Sequence, residues 1–289
     1  MSLNTKSNIH IFGGSHPLVR NFLKDILEKQ KLYAKIYVYG RSFNHGVLAY
    51  ENFYENANHN DILMSFAPIL FTHKIISKVI DKICFKKVII LSSSSIYSKV
   101  LKKSMDGDLY RDFLIGEEKI ISSSKKSINK EKIYILRTSM LWGLNHDLNV
   151  NLIFRILSKY RIFPILKEGN GLRAPLHFYN LSLYISRLCS SKIPSGIYDL
   201  MGSEIIKYSD LVKYIQKQIS HKTFIIWIPE FCKIFLIKFC KLFKFRKIIS
   251  YSSMLLRQSE DLVYNFNPLP INLDCDKKFI NLLEDTYLN

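Results

Sequence analysis

Short apolar runs alternate along the chain with longer mixed segments. The runs predict buried β-strands and the longer segments predict helices that cover them. Because strand and helix alternate, the pattern predicts an α/β fold with a parallel sheet covered on both faces. The predicted strands are Ile9–Phe12, Lys35–Tyr39, Asp61–Phe66, Lys87–Leu91 and Ile133–Leu136, and the predicted helices are Val19–Leu27, Thr72–Ile83 and Leu109–Ser122.

Two glycines follow the first predicted strand and mark a tight turn before a helix. Gly13 and Gly14 allow the sharp bend and the close approach to a diphosphate that begin a dinucleotide-binding, Rossmann-type fold. The following helix presents free N–H groups to the phosphates. His16 and Val19 stand where the later glycines of this fingerprint would lie. The sequence therefore predicts a nucleotide-binding fold with a degenerate phosphate-binding turn.

Further candidates for contact with a cofactor follow the predicted strands, since ligands of a parallel sheet bind at the carboxyl ends of its strands. Arg41 follows the second strand, where an arginine can hold a 2′-phosphate. This favours NADP slightly over NAD, although a surface arginine is an equally good explanation. The candidate cofactor-binding residues are Gly13, Gly14, Ser15, Leu18, Arg41, Ser42, Ala67 and Pro68. No set of cysteines has the spacing of a metal site.

The charge of the chain adds information about partners. The 289 residues include 42 lysines and arginines against 24 acidic residues, a net charge of +18, and 48% are hydrophobic. The basic excess favours phosphate-bearing ligands, nucleic acid or anionic lipid, or reflects lysines on solvated faces. No nucleic-acid recognition motif is visible, so nucleic acid is not an expected partner. Widely spaced cysteines and the lack of an apolar run of about 20 residues indicate a cytoplasmic protein without a membrane span.

Three segments resemble, in order, those of the extended short-chain dehydrogenase/reductases, the NAD-dependent epimerase/dehydratase family. They are SSSSIYS (92–98), ILRTSMLWG (135–143) and LRAPLHFYNL (172–181). The resemblance covers nearly the whole chain and is greatest for a short branch with segments like SFAPI (65–69) and DLVY (261–264). It implies a Rossmann-type, doubly wound sheet in residues 1–145. Residues 146–289 would form a small α/β substrate-binding part, interleaved with the last strands of the sheet.

The resemblance also implies an activity: an NAD(P)-dependent oxidoreductase or epimerase acting on a nucleotide sugar in surface polysaccharide (O-antigen-type) biosynthesis. The tyrosine of this family, with a lysine four residues later, exchanges a proton with the sugar. That pair is absent here, because Leu114 follows Tyr110 at this spacing and Glu117 follows Phe113. The candidate catalytic residues are Ser93, Ser94, Tyr97 and Tyr110, with Lys99 as a basic residue near Tyr97.

The predicted substrate-binding residues come from the third segment and from the loop before it. Arg173 matches the family arginine that reaches the nucleotide diphosphate, and a guanidinium suits that geometry. His177 either orders its loop or takes part in binding. Asn149 is either a substrate contact or a solvated loop residue.

Two alternatives stay open at this point. A catalytically inactive binding or scaffolding protein of the same fold would also lack the tyrosine–lysine pair. Residues 224–247 mix aromatic, aliphatic and lysine side chains. They suit a helix with its apolar side packed inward, or an interfacial helix on an anionic membrane. A nucleotide sugar is the expected partner, peripheral membrane contact is the alternative, and the oligomeric state is open.

Overall fold

The computed structural model describes residues 6–16, 18–40, 47–99, 107–126, 132–143, 147, 149–167, 169–229, 232, 257–273 and 278–287. Arg41 and Ser42 lie outside these residues, as do 230–231 and 233–256, which include most of the basic apolar segment. Tyr110 lies within a described helix, but its side chain and that of Lys99 are outside the described part.

Thirteen strands and nine α-helices occur in the described residues. The strands are β1 (Ile9–Phe12), β2 (Ile36–Tyr39), β3 (Val47–Leu48), β4 (Ile62–Ser65), β5 (Lys87–Ser93), β6 (Ile133–Thr138), β7 (Leu141–Trp142), β8 (Ile162–Leu166), β9 (Leu172–Arg173), β10 (Leu176–His177), β11 (Gly196–Leu200), β12 (Ile206–Lys207) and β13 (Phe224–Ile228). The helices are α1 (Lys24–Lys29), α2 (Phe53–Asn56), α3 (Ile69–Ile80), α4 (Ser95–Lys99), α5 (Gly107–Lys126), α6 (Val150–Tyr160), α7 (Phe178–Ser190), α8 (Tyr208–Lys217) and α9 (Phe279–Tyr287). A π-helical turn, Val19–Leu23, leads directly into α1.

The chain divides into two compact units, neither of which is continuous in sequence. The first unit comprises Met1–Thr138, Phe178–Leu200 and Asn265–Cys275. The second comprises Ser139–His177, Met201–Tyr264 and Asp276–Asn289. The expected division lies after residue 145. In the structure, the continuous first part of unit 1 ends at Thr138, and α7, β11 and residues 265–275 also belong to unit 1.

A seven-stranded sheet forms the centre of the first unit, in the order β11-β6-β5-β4-β1-β2-β3. Every neighbouring pair is parallel. The strand order reverses between β1 and β4, as it does in doubly wound folds that bind a ligand at that crevice. The predicted Rossmann-type α/β fold is therefore confirmed.

Helices cover both faces of this sheet. On one face, α3 and α5 pack on each other and on alternate strand residues such as Leu63, Ile90 and Ile135, which are fully or almost fully buried. On the other face, α1 packs against α7. The buried amino group of Lys87 donates hydrogen bonds to the Leu188 and Ser191 carbonyl oxygens. A lysine thus satisfies carbonyls at the end of α7 and fixes this helix to the sheet.

The second unit is built from two-stranded sheets and helices. Here β10 pairs with β7, β12 with β9, and β13 with β8. Its core contains fully buried side chains of α6, β8 and α8, among them Leu157, Phe163 and Leu211. The segment Phe224–Ile228 is a strand, because its β-branched residues pair with β8 in parallel register. Pro229 suits the start of the expected helix, so this strand precedes that helix, and residues 230–231 and 233–247 lie outside the described residues.

Candidate functional site

The turn after β1 is held tightly against the ends of β2 and β4. Gly13 has φ +92°, and a Cβ there would lie 2.6 Å from the main-chain nitrogen of Ala67. Only glycine fits this position without strain. The N–H groups of Gly13 and Gly14 both donate to the Tyr39 carbonyl oxygen, at 3.1 and 2.9 Å. The turn therefore lies at the switch point of the sheet, beside Ala67 and with Pro68 next to it at the start of α3.

The imidazole of His16 caps the helix that follows this turn. Its Nδ1 accepts a hydrogen bond from the Leu18 N–H at 3.3 Å. The ring contacts Phe178 and Phe66, with centroid distances of 5.6 and 6.3 Å. Burial lowers the pKa of His16 to about 4, so the ring is neutral at pH 7. A neutral imidazole thus occupies an N–H group that a diphosphate at a helix N-terminus would use.

The rest of the turn determines whether a dinucleotide fits. Val19, at the position of the third fingerprint glycine, is buried together with Leu18, so this helix packs through side chains. Ser15 is exposed, and Gly14 has no side chain that could obstruct a ligand. Gly14, Ser15 and Leu18 stay the candidates to hold a diphosphate. To take part, the Gly14 amide would have to leave the Tyr39 carbonyl oxygen and the Leu18 amide would have to leave His16.

The serine run lies at the carboxyl end of β5, where the sequence predicts it. Ser93 is half-buried, and its Oγ accepts a hydrogen bond from the Ser95 N–H at 3.2 Å, at the start of α4. Ser94 is buried, and its N–H donates to the Thr138 carbonyl oxygen at 2.9 Å. Both serines therefore belong to the edge of the sheet that includes the ends of β5 and β6.

A buried ion pair lies beside these serines. Glu117, on α5, is 1% exposed and accepts the Ser92 hydroxyl at 2.5 Å. The same carboxylate binds the Arg137 guanidinium through Nε at 3.1 and 3.2 Å and through Nη2 at 2.5 Å. Although burial disfavours the charge on Arg137, the contact with Glu117 outweighs it and raises the pKa. The buried Glu117 carboxylate thus has its own cation.

Tyr97 extends this network to the end of the sheet. Its hydroxyl accepts from Arg137 Nη1 at 2.8 Å and donates to Asp199 Oδ1 at 2.9 Å. Burial and the Asp199 carboxylate raise the pKa of Tyr97, while Arg137 opposes the shift. Asp199 also accepts the N–H groups of Phe266 and Asn267, at 2.9 and 3.1 Å. The proton of Tyr97 is therefore held by a carboxylate, which favours the protonated phenol.

Arg137 and Asp199 are the site residues that sequence reasoning missed. Both stand in apolar strand sequences, IYILRT and GIYDL. A charged residue within a buried strand requires a partner of opposite charge or several hydrogen bonds. That requirement is a usable signal, but the identity of the partner is not encoded locally, because Glu117 and Tyr97 come from other parts of the chain.

Replacement of Ser92 by alanine tests how much the hydrogen bond between Ser92 and Glu117 contributes to stability. We expect Ser92→Ala to lower the free energy of unfolding by about 1 to 2 kcal/mol, because a buried carboxylate loses one of its hydrogen bonds. The matched control is Ser122→Ala, since the exposed Ser122 hydroxyl bonds only to the Lys119 carbonyl oxygen on the same helix. Chemical denaturation of both variants measures the difference, and equal stabilities would contradict the proposed importance of the bond.

In the second unit, Arg173 is buried and bound to main chain. Its Nη1 donates to the carbonyl oxygens of Leu172 and Glu260, at 2.8 and 2.6 Å, and its Nη2 donates to that of Arg257 at 2.6 Å. Burial lowers the pKa of Arg173 to about 10, which leaves the guanidinium charged at pH 7. Arg173 thus holds residues 257–260 against β9. A diphosphate would have to bind to guanidinium N–H groups that do not donate to these carbonyl oxygens.

His177 and Asn149 have roles in shaping their loops. The His177 ring packs edge-on against Trp142, with centroids 4.5 Å apart. A Cβ on Gly143 (φ +127°) would lie 2.5 Å from His177 Nε2. Asn149 donates from Nδ2 to the Leu141 carbonyl oxygen at 3.1 Å, and Asp147 accepts its N–H at 2.8 Å. These contacts order the start of α6.

Two other structural features are absent from the described residues. No helix there is both long and apolar enough to cross a membrane. In the same residues, no three or more His, Cys, Asp or Glu side chains come together as a metal site would require.

Comparison with known proteins gives matches at the level of structure. Neither the protein-family models nor the curated protein sequences include a match to the chain. The UDP-N-acetylglucosamine 4-epimerase of Bacillus cereus superposes with a TM-score of 0.58 and 17% identity, over 77% of this chain and 85% of the epimerase. The UDP-glucuronic acid 4-epimerase of the same organism, solved with NAD, gives 0.59 and 14%, over 77% and 86%.

A third similar structure is the dTDP-4-dehydrorhamnose reductase of Bacillus anthracis, solved with NADP. Its TM-score is 0.55 at 15% identity, over 78% of this chain and 86% of the reductase. The order of the seven-stranded sheet agrees with this likeness. The chain therefore has the Rossmann-type α/β fold that these solved structures share.

Proposed function

We propose that the chain binds a nicotinamide dinucleotide and a nucleotide sugar, and acts on the sugar as an oxidoreductase or epimerase. The observation that carries this proposal is the Gly13–Gly14 turn, held at the switch point beside Ala67. Ligands of doubly wound sheets bind at that point. The solved structures with this fold include epimerases of UDP-sugars, a dehydratase and a reductase of dTDP-sugars. We infer that the sugar nucleotide formed in this reaction is a precursor of surface polysaccharide.

The residues divide the work as follows. Gly14, Ser15 and Leu18 bind the dinucleotide diphosphate, and Arg41 and Ser42 contact the adenosine ribose, where an arginine favours NADP. A bound nicotinamide would supply hydride chemistry. Ser93 and Ser94 lie at the carboxyl end of β5 and Tyr97 in the helix that follows it, and Tyr97, as a protonated phenol, would donate a proton in the direction in which the sugar is reduced. Arg173, His177 and Asn149 form the nucleotide-sugar side, and Tyr110 is the second candidate phenol.

A specific observation favours a second function, which is binding without hydride chemistry. Glu117 and Arg137 form a closed ion pair at the position of the family lysine, and the Tyr97 hydroxyl is already bonded to Arg137 and Asp199. A protein with this arrangement could bind the same ligands as a sensor or scaffold. The two functions predict the same binding but different turnover.

Thermal unfolding with added ligands tests the binding. NADPH, NADH and UDP-sugars at 100 times their dissociation constants are each expected to add about 2.7 kcal/mol to the free energy of unfolding. The control is Gly13→Val, because its side chain would overlap the main chain of Phe66 and Ala67 and disturb the turn. This variant should lose the dinucleotide response and keep the nucleotide-sugar response.

Turnover separates the two functions. Change in nicotinamide absorbance, or conversion of a UDP-sugar to its epimer, supports the oxidoreductase or epimerase. Stabilisation by ligands without conversion supports the binding protein. No stabilisation by any dinucleotide or nucleotide sugar would refute both.

A further inference from the structure

In the second unit, the two-stranded sheet of β8 and β13 has one face toward the core of the unit and one face toward solvent. Strands β8 and β13 pair in parallel, with Ile162 opposite Phe224 and Pro164 opposite Ile226. Successive side chains on a strand point to opposite faces. Phe163 and Ile165 of β8 are fully buried in the core of the unit. The residues between them therefore form the outer face.

That outer face is apolar although it is exposed. Ile162 is 44% exposed, Phe224 51% and Ile226 47%. Parallel sheets are normally covered on both faces, so an uncovered apolar face indicates a binding surface. Tyr160, two residues before Ile162 in sequence, is 62% exposed. We call the surface formed by Ile162, Pro164, Phe224 and Ile226, together with Tyr160, the β8–β13 patch.

Cationic side chains border this patch. The exposed basic residues next to it in sequence are Lys159, Arg161, Lys167, Lys217 and Lys222. Lys222 Nζ lies 5.2 Å from the centre of the Phe224 ring, and Lys159 Nζ lies 5.2 Å from that of Tyr160. The sequences 159–167 and 217–229 contain no acidic residue; Glu230 follows, and residues 231–247 continue mainly with phenylalanine, isoleucine, leucine and lysine.

The chemistry of the patch selects its partner. A second copy of the chain would bring like charges together around the apolar centre, which opposes self-association. An anionic lipid surface fits both the apolar centre and the cationic border of the patch. Aromatic and aliphatic side chains enter the interfacial layer, and lysines pair with lipid phosphates. We propose that the β8–β13 patch is a docking surface for anionic membranes. This inference does not depend on the activity of the first unit.

The two tryptophans allow a direct test in the native protein. Trp142 is fully buried, whereas Trp227 is 42% exposed and follows Ile226 of the patch directly in sequence, so vesicles bound at the patch can change the environment of Trp227 alone. Vesicles of mixed phosphatidylglycerol and phosphatidylcholine should shift the tryptophan emission to shorter wavelength and carry the protein upward in flotation. Pure phosphatidylcholine vesicles should do neither, and added salt should weaken the binding because it screens the lysines.

Variants locate the surface. Phe224→Glu with Ile226→Glu should reduce binding to the mixed vesicles at least about tenfold, because two apolar side chains become acidic at an anionic surface. Ile205→Glu is the matched control, since Ile205 is 51% exposed in the same unit but outside the patch, and it should bind like the native protein. Trp227→Phe should abolish the emission shift and retain flotation.

Three results would overturn the proposal. Failure of the native protein to float with anionic vesicles would exclude the lipid surface. Equal binding by the Phe224→Glu/Ile226→Glu variant and the native protein would place the contact elsewhere. A native oligomer that this variant converts to a monomer would identify the partner as a second copy.

Discussion

Replacing Arg137 by methionine is expected to lower the free energy of unfolding by about 3 to 5 kcal/mol. The substitution leaves the Glu117 carboxylate, 1% exposed, without its cation, and it removes a donor from the Tyr97 hydroxyl. A buried charge without a partner destabilises the folded state by far more than an attraction between two charges in water is worth. The midpoint of chemical denaturation, compared between native and variant protein, measures the effect.

Two further variants make this result specific. In Arg137→Met/Glu117→Leu both charges are gone, so a large part of the lost stability should return. Lys213→Met breaks the exposed pair with Asp210, whose atoms are 3.2 Å apart, and should cost no more than about 1 kcal/mol. If the double variant is less stable than Arg137→Met alone, the pair is not held together as described.

Acidification from pH 6.5 to 4 is expected to remove about 3 kcal/mol of stability through His16 alone. Its pKa falls from the ordinary 6.5 to about 4 in the folded chain, so the unfolded chain binds the proton more readily over this range. The contribution is fully present above pH 6.5 and is lost as the pH approaches the folded-state pKa. His10, whose pKa burial also lowers despite the contact with Asp61, acts in the same direction.

The variant His16→Gln isolates the contribution of this imidazole. Glutamine can still accept the Leu18 N–H but does not titrate, so the stability of the variant should depend less on pH between 6.5 and 4. The carboxyl groups titrate in both proteins, so their contributions to the pH dependence cancel in the comparison. Identical pH profiles of unfolding for the native protein and the variant would contradict burial of the ring.

Much of the fold follows from local sequence because its signals are local. Each central strand is an apolar run with flanking polar residues, and the turn after β1 requires glycine, so both are visible without the structure. The site is less predictable. Glu117 and Phe113 reveal the loss of the tyrosine–lysine pair, but the pairing of Glu117 with Arg137 joins residues 20 positions apart on two elements.

The start of the basic apolar segment shows a second limit. Pro229 and the lysines that follow favour a helix, but they do not predict that Phe224–Ile228, just before them, forms a strand on the open edge of β8. A partner 62 residues earlier in the chain therefore decides the conformation. Periodicity cannot reveal such a partner, since apolar runs of this length suit either structure.

The division of the chain has a consequence for biosynthesis. The polypeptide passes between the two units five times, and β11, which completes one edge of the large sheet, is made after Ser139–His177 of the second unit and before the rest of that unit. A nascent chain that has emerged only to residue 145 lacks this strand, so β6 presents an open edge until residues 196–200 leave the ribosome. Neither unit can finish folding before the other is largely translated, which makes completion of the whole chain the point at which both cores close.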